Sequence, residues 1–224
     1  MTLADLIRRF RVLACDTAHP PLWKDCDLAD WFSDAQDQAA IRGRLLLEDA
    51  NDEVCSLTIA AGTHTYTLHR SLYELVDLWI APAVGERACP VVLRSREWLD
   101  HHVCDWRYRD RMPGGTIYAL QGDTTLRIVP TPTQPGTLRI EGYRLPLKRL
   151  VEGRDTPEIH EAHHEHLIHW VLHRAYGIPD TETFDAQRSA AGERAFTAYF
   201  GPLPDSDLRR ATRQDNPHTN AVFC

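Results

Sequence analysis

The sequence predicts an α+β protein: a four-helix frame, two helices from each end of the chain, with an inserted antiparallel β block and an extended C-terminal tail. Three patterns in the 224 residues indicate this. Apolar residues recur at helical spacing at both ends, they alternate every second position in the middle, and no period remains after residue 200. The predicted helical domain is 1–53 with 146–200, the β domain is 54–145, and the tail is 201–224.

The composition is that of a folded protein, since 43% of the residues are hydrophobic and 25% are charged. No apolar run of about 18 residues predicts a transmembrane helix, and the N-terminal segment reads as a helix instead of a signal peptide. The formal net charge of −7 disfavours tight binding to DNA phosphates. A weak, transient contact between the protein and DNA is still compatible with this charge. Six cysteines without a C-x-x-C pair indicate reduced thiols in a protein made in a cytoplasm.

The first predicted helix covers 2–16. Thr2 is its expected N-cap, with Asp5 completing a capping-box variant. Its inward stripe is Leu3, Leu6, Ile7, Phe10 and Leu13. The run of two prolines after His19 is expected to end it.

The second predicted helix covers 28–48 with Asp27 as N-cap. Small Ala35 and Ala39 on its apolar face predict the close approach of another helix. Gly43 reads as an interior defect that costs roughly 1 kcal/mol relative to alanine.

The middle of the chain predicts a small sandwich or a curled sheet of short strands. The predicted strands are 62–68, 72–81, 89–94, 124–129 and 137–143. Because a proline-rich link joins the last two, we expect them to form a hairpin. A short helix is expected at Ser95–Asp100, followed by a loop over 101–115.

Two further helices are predicted near the C-terminus. Thr156 and Pro157 have the chemistry of an N-cap and first helical residue, and Gly177 and Pro179 end that helix. The fourth predicted helix covers 181–200. It starts at Asp180 or Thr181, and Phe184 is among its apolar residues. Because neither helix pair alone buries enough apolar surface, we expect all four to pack together.

The third helix contains His160-Glu161-x-x-His164, the pattern of zinc hydrolases. Two histidines four apart on one helical face can share a metal ion, and the glutamate then serves as general base. Glu182 or Glu193 is the available third ligand.

The apolar stripe argues against zinc, because Leu167, Trp170 and Val171 point inward and leave His160 and His164 at its edge. The alternative is a histidine-rich exposed face, at a subunit interface, that titrates near neutral pH. We therefore expect no catalytic residue, no metal and no cofactor, with a zinc-dependent hydrolase as the alternative function.

Two other segments have the composition of binding surfaces. Residues 105–110, DWRYRD, suit a loop that grips a partner protein, with base stacking as the alternative. The tail has no periodicity, but a chain end that orders on binding can wrap a partner. Its candidate partner-binding residues are Leu203, Leu208, Arg209, Arg210, Arg213 and Phe223.

An ordered set of motifs resembles the head-to-tail adaptor (connector) proteins of tailed bacteriophages. The set comprises LADLIRRFRVLACD, WFSDAQ, AGTHTYTLHRSLYELVDLWI, LRIVPTPTQPGTLRIEGYRLP and PEIHEAHHEHLIHWVLHRAYG. In the last motif the matching residues are His164, Leu167, Trp170, Leu172, Arg174, Ala175 and Tyr176, while His163 replaces the usual aromatic residue. The resemblance covers about residues 1–200.

The resemblance implies a structural protein of the virion, located at the portal vertex between head and tail. Its implied partners are the portal protein, a downstream tail or nozzle protein, neighbouring copies in a ring that is a dodecamer, and passing DNA without sequence specificity. It implies no membrane partner and no enzyme activity. A non-viral protein-interaction module with the same helical frame is the remaining alternative.

Overall fold

The computed structural model describes residues 1–82, 88–179 and 182–204. These residues form a mixed α+β fold with a curled β-sheet, so the α+β part of the predicted fold class is confirmed. Two compact units are present: Met1–Leu46 with Leu145–Leu203, and a second that contains Leu47–Arg144. No helix in the described ranges is long and apolar enough to cross a membrane.

The helices and strands of the described residues follow one another in this order. The helices are α1 (Leu3–Ala14), α2 (Asp25–Gly43), α3 (Asp52–Cys55), α4 (Arg96–His102), α5 (Leu167–Gly177) and α6 (Ala186–Phe200), with 3-10 turns at Pro113–Gly115 and Glu161–His166. The strands are β1 (Leu47–Glu48), β2 (Ser56–Ile59), β3 (Thr65–Thr67), β4 (Leu72–Pro82), β5 (Cys89–Leu93), β6 (Ile117–Gln121), β7 (Thr125–Val129) and β8 (Gly136–Arg144).

The first unit has a single hydrophobic core to which α1, α2, α5 and α6 all contribute. Phe10, Phe32, Leu167 and Phe196, one from each helix, are completely shielded from solvent. Burial of a large apolar side chain contributes about 1.5–3 kcal/mol, so the burial of these residues is a main source of the unit's stability.

The first helix follows its sequence signals closely at its start and less closely at its end. Asp5 N donates to Thr2 Oγ1 at 3.3 Å and the Asp5 carboxylate accepts from Thr2 N at 3.2 Å, which is the predicted capping box. The helix ends at Ala14 because Cys15 adopts a left-handed conformation (φ 59°), several residues before the prolines. Leu13, expected to face inward, is 57% exposed.

The second helix is offset from its predicted span. It begins at Asp25, so Asp27 lies in its first turn and is not its cap. It ends at Gly43, which closes the helix instead of interrupting it, because Arg44 turns left-handed (φ 49°). The chain then turns into β1, whose Leu47 pairs with β8. Pairing with the sheet therefore replaces the last turn that helical periodicity predicted.

The third predicted helix starts too early by ten residues or so. Residues 157–160 are not helical, and a 3-10 turn at Glu161–His166 precedes α5. Glu158 Oε1 accepts from the backbone nitrogens of Leu147 and Lys148 at 2.8 and 3.0 Å, and Ile159 is 2% exposed. These tertiary contacts hold the segment outside a helix despite its Thr-Pro start signal.

The fourth predicted helix also starts too early. Asp185 is its N-cap and accepts from the nitrogens of Gln187 and Arg188, both at 3.0 Å. Asp180 and Thr181, the predicted caps, lie outside the described residues. Phe184 precedes the helix and is 54% exposed, so its predicted place in the apolar face is wrong.

The sheet of the second unit has the order β1-β8-β4-β5-β6-β7-β3, and β2 also pairs with β8. The predicted hairpin of β7 and β8 is wrong, since β7 pairs with β6 and β3 while β8 pairs with β4, β1 and β2. The antiparallel prediction needs a second correction, because β5 and β6 are parallel. The alternation of apolar and polar residues predicts where a strand lies. Which strands pair with each other depends on how the rest of the unit covers the faces of the sheet.

The sequence predicted the short helix of this unit more accurately than it predicted the strand pairing. Ser95 caps α4 as predicted, with Trp98 N donating to Ser95 Oγ at 3.1 Å. The helix runs to His102, and a 3-10 turn occupies Pro113–Gly115, so the predicted loop over 101–115 is partly structured.

Candidate functional site

The histidine-rich segment does not have the geometry that a zinc hydrolase needs. His160 is an N-cap with an extended ψ of 142°, and its Nδ1 accepts from Ala162 N at 3.2 Å. His164 lies in the following 3-10 turn, where residues three apart, not four, share a face. The two histidines therefore lack the common α-helical face on which the motif depends.

His164 is a core residue with both ring nitrogens engaged. It is 4% exposed, with Nε2 at 2.8 Å from Ile159 O and Nδ1 at 3.1 Å from the Met1 backbone nitrogen. The described residues contain no group of three or more His, Cys, Asp and Glu side chains that can hold a metal ion. Neither Glu182 nor Glu193 joins His160 in such a group, so the hydrolase alternative gains no support.

The remaining histidines of this segment pack against the end of α6. The His166 ring stacks on Tyr199 with centroids 3.4 Å apart, and His163 Nδ1 is 3.1 Å from the Tyr199 hydroxyl. Burial, and then the neighbouring His160, His166 and His164, lower the pKa of His163. Burial and His166 lower the pKa of His169. Both rings therefore titrate at more acidic pH than a free histidine.

A line of carboxylates follows the side of α2 that faces away from the core. Asp27, Asp30, Asp34 and Asp37 recur at steps of three, four and three residues, which is one helical face. Arg149 Nη2 lies 3.3 Å from Asp34 and 3.7 Å from Asp30. In the sequence alone this spacing indicates no more than a solvated helix face.

The segment that follows the sheet carries Arg149, which contacts these carboxylates, and two exposed apolar side chains. Leu147 is 38% exposed and Val151 is 74% exposed. The segment is fixed to α2, since Gln36 Nε2 donates to Lys148 O at 3.0 Å and Leu150 N donates to Ser33 Oγ at 2.9 Å. We call this surface the α2 acidic face; its members are Asp30, Asp34, Asp37, Leu147, Val151 and Glu158.

Asp37 is the half-buried member of the α2 acidic face. Burial raises the pKa of its carboxyl group to about 6; Arg149 opposes this effect, and Asp34 and Glu158 add to it. The folded state therefore holds this proton more tightly than the unfolded chain does. Its contribution favours folding at low pH and is lost as the pH rises from about 3.8 towards 6.

Replacing Asp37 with asparagine is expected to stabilise the protein above pH 6, because it removes a partly desolvated charge. After allowance for solvent screening at a half-exposed group, the gain is about 1 kcal/mol at pH 7.5, with no gain at pH 4. Urea unfolding at the two pH values measures both effects. Asp30→Asn is the matched control at an exposed position, where a change within about 0.5 kcal/mol is expected. Equal gains at both pH values would contradict the assignment.

The second unit carries a protruding turn at residues 104–109, which we call the Tyr108 turn. Tyr108 is 85% exposed, more than any other large hydrophobic side chain in the described part of the chain. Trp106 beneath it is 3% exposed, and its Nε1 donates to Asp100 Oδ1 at 2.8 Å. Arg107 lies 4.2 Å above the Trp106 ring and 2.7 Å from the same Asp100 oxygen. These bonds fix the base of the turn.

The backbone of the Tyr108 turn is held as firmly as its base. Asp105 has a positive φ of 53°, which is uncommon for a residue other than glycine. Tyr108 N donates to Asp105 O at 2.9 Å, and Arg109 Nε donates to Cys104 O at 2.7 Å. The first of these hydrogen bonds ties the left-handed residue to Tyr108. These hydrogen bonds hold the backbone of the turn on both sides of the exposed Tyr108 side chain.

Asp100 anchors this region, because it accepts hydrogen bonds from both Arg107 and Trp106. The hydrogen bonds from Arg107 and Trp106 lower the pKa of Asp100 to about 2, so it stays charged at every physiological pH. The sequence predicted residues 105–110 as a partner-gripping loop, but nothing local in the sequence indicated the support from Asp100.

The predicted tail site falls almost wholly outside the described residues. Leu203 is described and is 56% exposed. Leu208, Arg209, Arg210, Arg213 and Phe223 lie outside the described residues.

These features define a class: an α+β protein whose described residues contain no group of three or more His, Cys, Asp and Glu side chains that could hold a metal ion. The family model of the SU10 adaptor protein matches residues 1–220, and the chain belongs to this family. No curated protein matches the chain. Membership confirms the resemblance to phage adaptors and supports a structural role in the virion, with portal and tail proteins as partners.

Proposed function

We propose that this protein is the head-to-tail adaptor of a tailed phage, forming a ring beneath the portal that extends the DNA channel and seats the tail. The family match over residues 1–220 is the observation that carries this proposal. The exposed Tyr108 turn and the α2 acidic face supply the kind of surface that such an assembly needs.

Within this assembly the four-helix frame docks on the portal and the β domain faces outward or towards the tail or nozzle protein. Copies contact one another head to tail, so that a ring closes at the dodecamer. A zinc-dependent hydrolase is not proposed, because His164 is engaged in the core on both ring nitrogens.

Native mass spectrometry of the purified chain, alone and mixed with the portal ring of the same phage, tests this function. We expect a complex with about one adaptor per portal subunit, as matched symmetry requires. A chain that ignores the portal and remains a monomer with one tightly bound zinc ion would overturn the proposal.

We further propose that residues 201–224 run along the portal or a neighbouring subunit. Leu203 begins this segment with an exposed apolar side chain, and an unstructured chain end can order on a partner surface. Deletion of residues 204–224 is expected to abolish assembly onto the portal, measured by co-sedimentation. The control is a chain of the same length with the segment scrambled, which is expected to fail as well. Normal assembly of the deletion variant would refute this role.

The acidic net charge of −7 suits a channel through which DNA passes without binding to the protein that lines it. If acidic residues face the lumen, their neutralisation to asparagine or glutamine is expected to slow ejection, because a less negative wall holds phosphates longer. Ejection from particles assembled with such variants is measured by dye release of DNA. Unchanged ejection rates would contradict a role for the charge.

A further inference from the structure

Two histidines of the 3-10 turn at Glu161–His166 contact the last turn of α6, and we call them the histidine clamp. The His166 ring stacks on Tyr199 with an angle of 15° between the two rings. The centroid of the His163 ring lies 5.8 Å from that of Tyr199 and 6.0 Å from that of Phe200. Because Phe200 is only 5% exposed, the clamp helps to cover a buried side chain at the point where α6 ends.

The contacts of the histidine clamp suit uncharged rings. A neutral His163 can accept a hydrogen bond at Nδ1 from the Tyr199 hydroxyl, 3.1 Å away, whereas a protonated histidine can only donate. A charged ring also loses hydration when it packs against aromatic side chains, which penalises the charged form. Protonation therefore weakens the hold of the clamp on Tyr199 and Phe200.

Neighbouring histidines add to the cost of protonation. The ring centroids of His160 and His163 are 6.1 Å apart, and those of His166 and His169 are 5.9 Å apart. Burial, followed by the charges of neighbouring histidines, lowers the pKa of His163 and of His169. A lowered pKa in the folded state gives a contribution to stability that is present above about pH 6.5, the ordinary pKa of histidine. This contribution is lost as the pH falls below that value.

The carboxylates beside the histidine clamp offset this repulsion only in part. Glu165 raises the pKa of His169 but does not outweigh burial, and its Oε1 already pairs with Arg9 at 3.0 Å. Glu161 Oε1 lies 3.5 Å from the amino group of Met1. Other charged or titratable groups around the clamp are Arg42 on α2, Glu193 and Tyr199 on α6, and His160, His164 and His169.

We infer that the histidine clamp is an acid-sensitive switch, in which neutral rings hold the last turn of α6 and their protonation releases it. Gly201 N donates to Thr197 O at 2.9 Å, so residues 201–204 continue directly from this turn. One turn earlier, Phe196 packs on Trp170 and is 0% exposed, so we expect the release to stop there. Acid therefore frees the start of the C-terminal segment while the helical core stays closed. The inference does not depend on the proposed ring.

Hydrogen exchange of the full chain, followed by mass spectrometry at about pH 7.5 and about pH 5 and corrected for intrinsic exchange rates, tests this switch. On acidification the amides of residues 197–201 are expected to lose about ten-fold in protection, while those of residues 6–10 in α1 keep theirs. Asp37 titrates in the same range, but its contribution favours folding at low pH and cannot cause this loss.

A double variant, His163→Gln with His166→Phe, removes both ionisable rings of the clamp. It keeps a polar partner for the Tyr199 hydroxyl and an aromatic ring to stack on it. The protection of residues 197–201 is then expected to differ by less than about two-fold between the two pH values. His101→Gln, at an exposed histidine of α4, is the matched control and is expected to keep the full loss. Thermal unfolding checks folding, and His166→Phe alone, with a reduced loss expected, serves if the double variant does not fold.

The other outcomes overturn the switch. Unchanged protection of the wild type at pH 5 would show that the clamp holds when acidified. An equal loss in the double variant and the wild type would place the responsible proton elsewhere. An equal loss in α1 would mean that acid unfolds the whole unit. Increased protection at pH 5 would show that the charged rings bind the carbonyl groups at the end of α6, as cations do at a helix C-terminus.

Discussion

Replacement of Phe196 by alanine is expected to lower the free energy of unfolding by about 3–5 kcal/mol, the usual effect of emptying a fully buried aromatic site. Phe196 is 0% exposed, and its ring lies 5.2 Å from Trp170 and 4.6 Å from Phe200. The Arg42 guanidinium is 5.2 Å from the same ring. The alanine variant therefore loses apolar burial, aromatic contacts and a cation–π partner together.

Urea denaturation followed by tryptophan fluorescence measures this effect, because Trp170 packs directly on the missing ring. Phe184→Ala is the matched control, since the same atoms are removed from a side chain that is 54% exposed. A change within about 0.5 kcal/mol is expected there. Similar losses for the two variants would show that α6 does not pack as described.

Replacement of Gly192 by alanine is expected to destabilise the protein by about 2 kcal/mol, although alanine is the better helix former. A Cβ at this position would lie 2.7 Å from His169 O and 2.9 Å from His173 N, both backbone atoms of α5. Overpacking costs about 1–3 kcal/mol, whereas alanine gains only roughly 1 kcal/mol over glycine within a helix. The two helices must separate, and the contacts on either side weaken.

The same substitution at Gly177 provides the control for Gly192. Gly177 ends α5, and the Cβ added there meets only the side-chain hydroxyl of Ser189 on α6, at 3.1 Å. A small change of either sign is expected, since a hydroxyl can move more easily than a helix backbone. Thermal and urea unfolding of both variants measure the difference. A Gly192→Ala protein as stable as wild type would contradict the close packing of α5 and α6.

Local sequence signals succeeded where the decisive contacts are local. The Thr2–Asp5 box and the Ser95 cap each join residues three apart, and the structure shows both bonds. Helix ends were predicted less well. The second helix stops at Gly43 because the residues that follow it join the sheet. The strand with which they pair lies almost a hundred residues further along the chain, so no pattern within α2 predicts this pairing.

Strand pairing was the main failure of the sequence analysis. The alternation in β7 and β8 predicted two strands correctly, but the proline-rich link between them leads to different neighbours instead of a hairpin. The parallel pairing of β5 with β6 was also not predicted. The residues of a strand indicate which of its two faces is buried, but they do not indicate which strand lies beside it.

The His160-Glu161-x-x-His164 motif was misinterpreted for the same reason, since its geometry depends on contacts with distant residues. The pattern assumed a helix that began at Pro157, so that His160 and His164 would share a face. Glu158 instead binds the backbone at Leu147 and Lys148, more than nine residues back along the chain, and Ile159 is buried. His160 thereby becomes a cap and His164 a core residue.

The sequence by itself determined the α+β class, most of the helices and strands, and, through the ordered set of motifs, the adaptor family, which the match over residues 1–220 confirms. All of these depend on residue type and spacing along one segment. Only the tertiary structure decided the strand order, the start of α5, the partial burial of Asp37 and the support of the Tyr108 turn by Asp100. Each of these depends on which distant groups meet, and a segment's own periodicity specifies the face that it buries but not the partner that covers it.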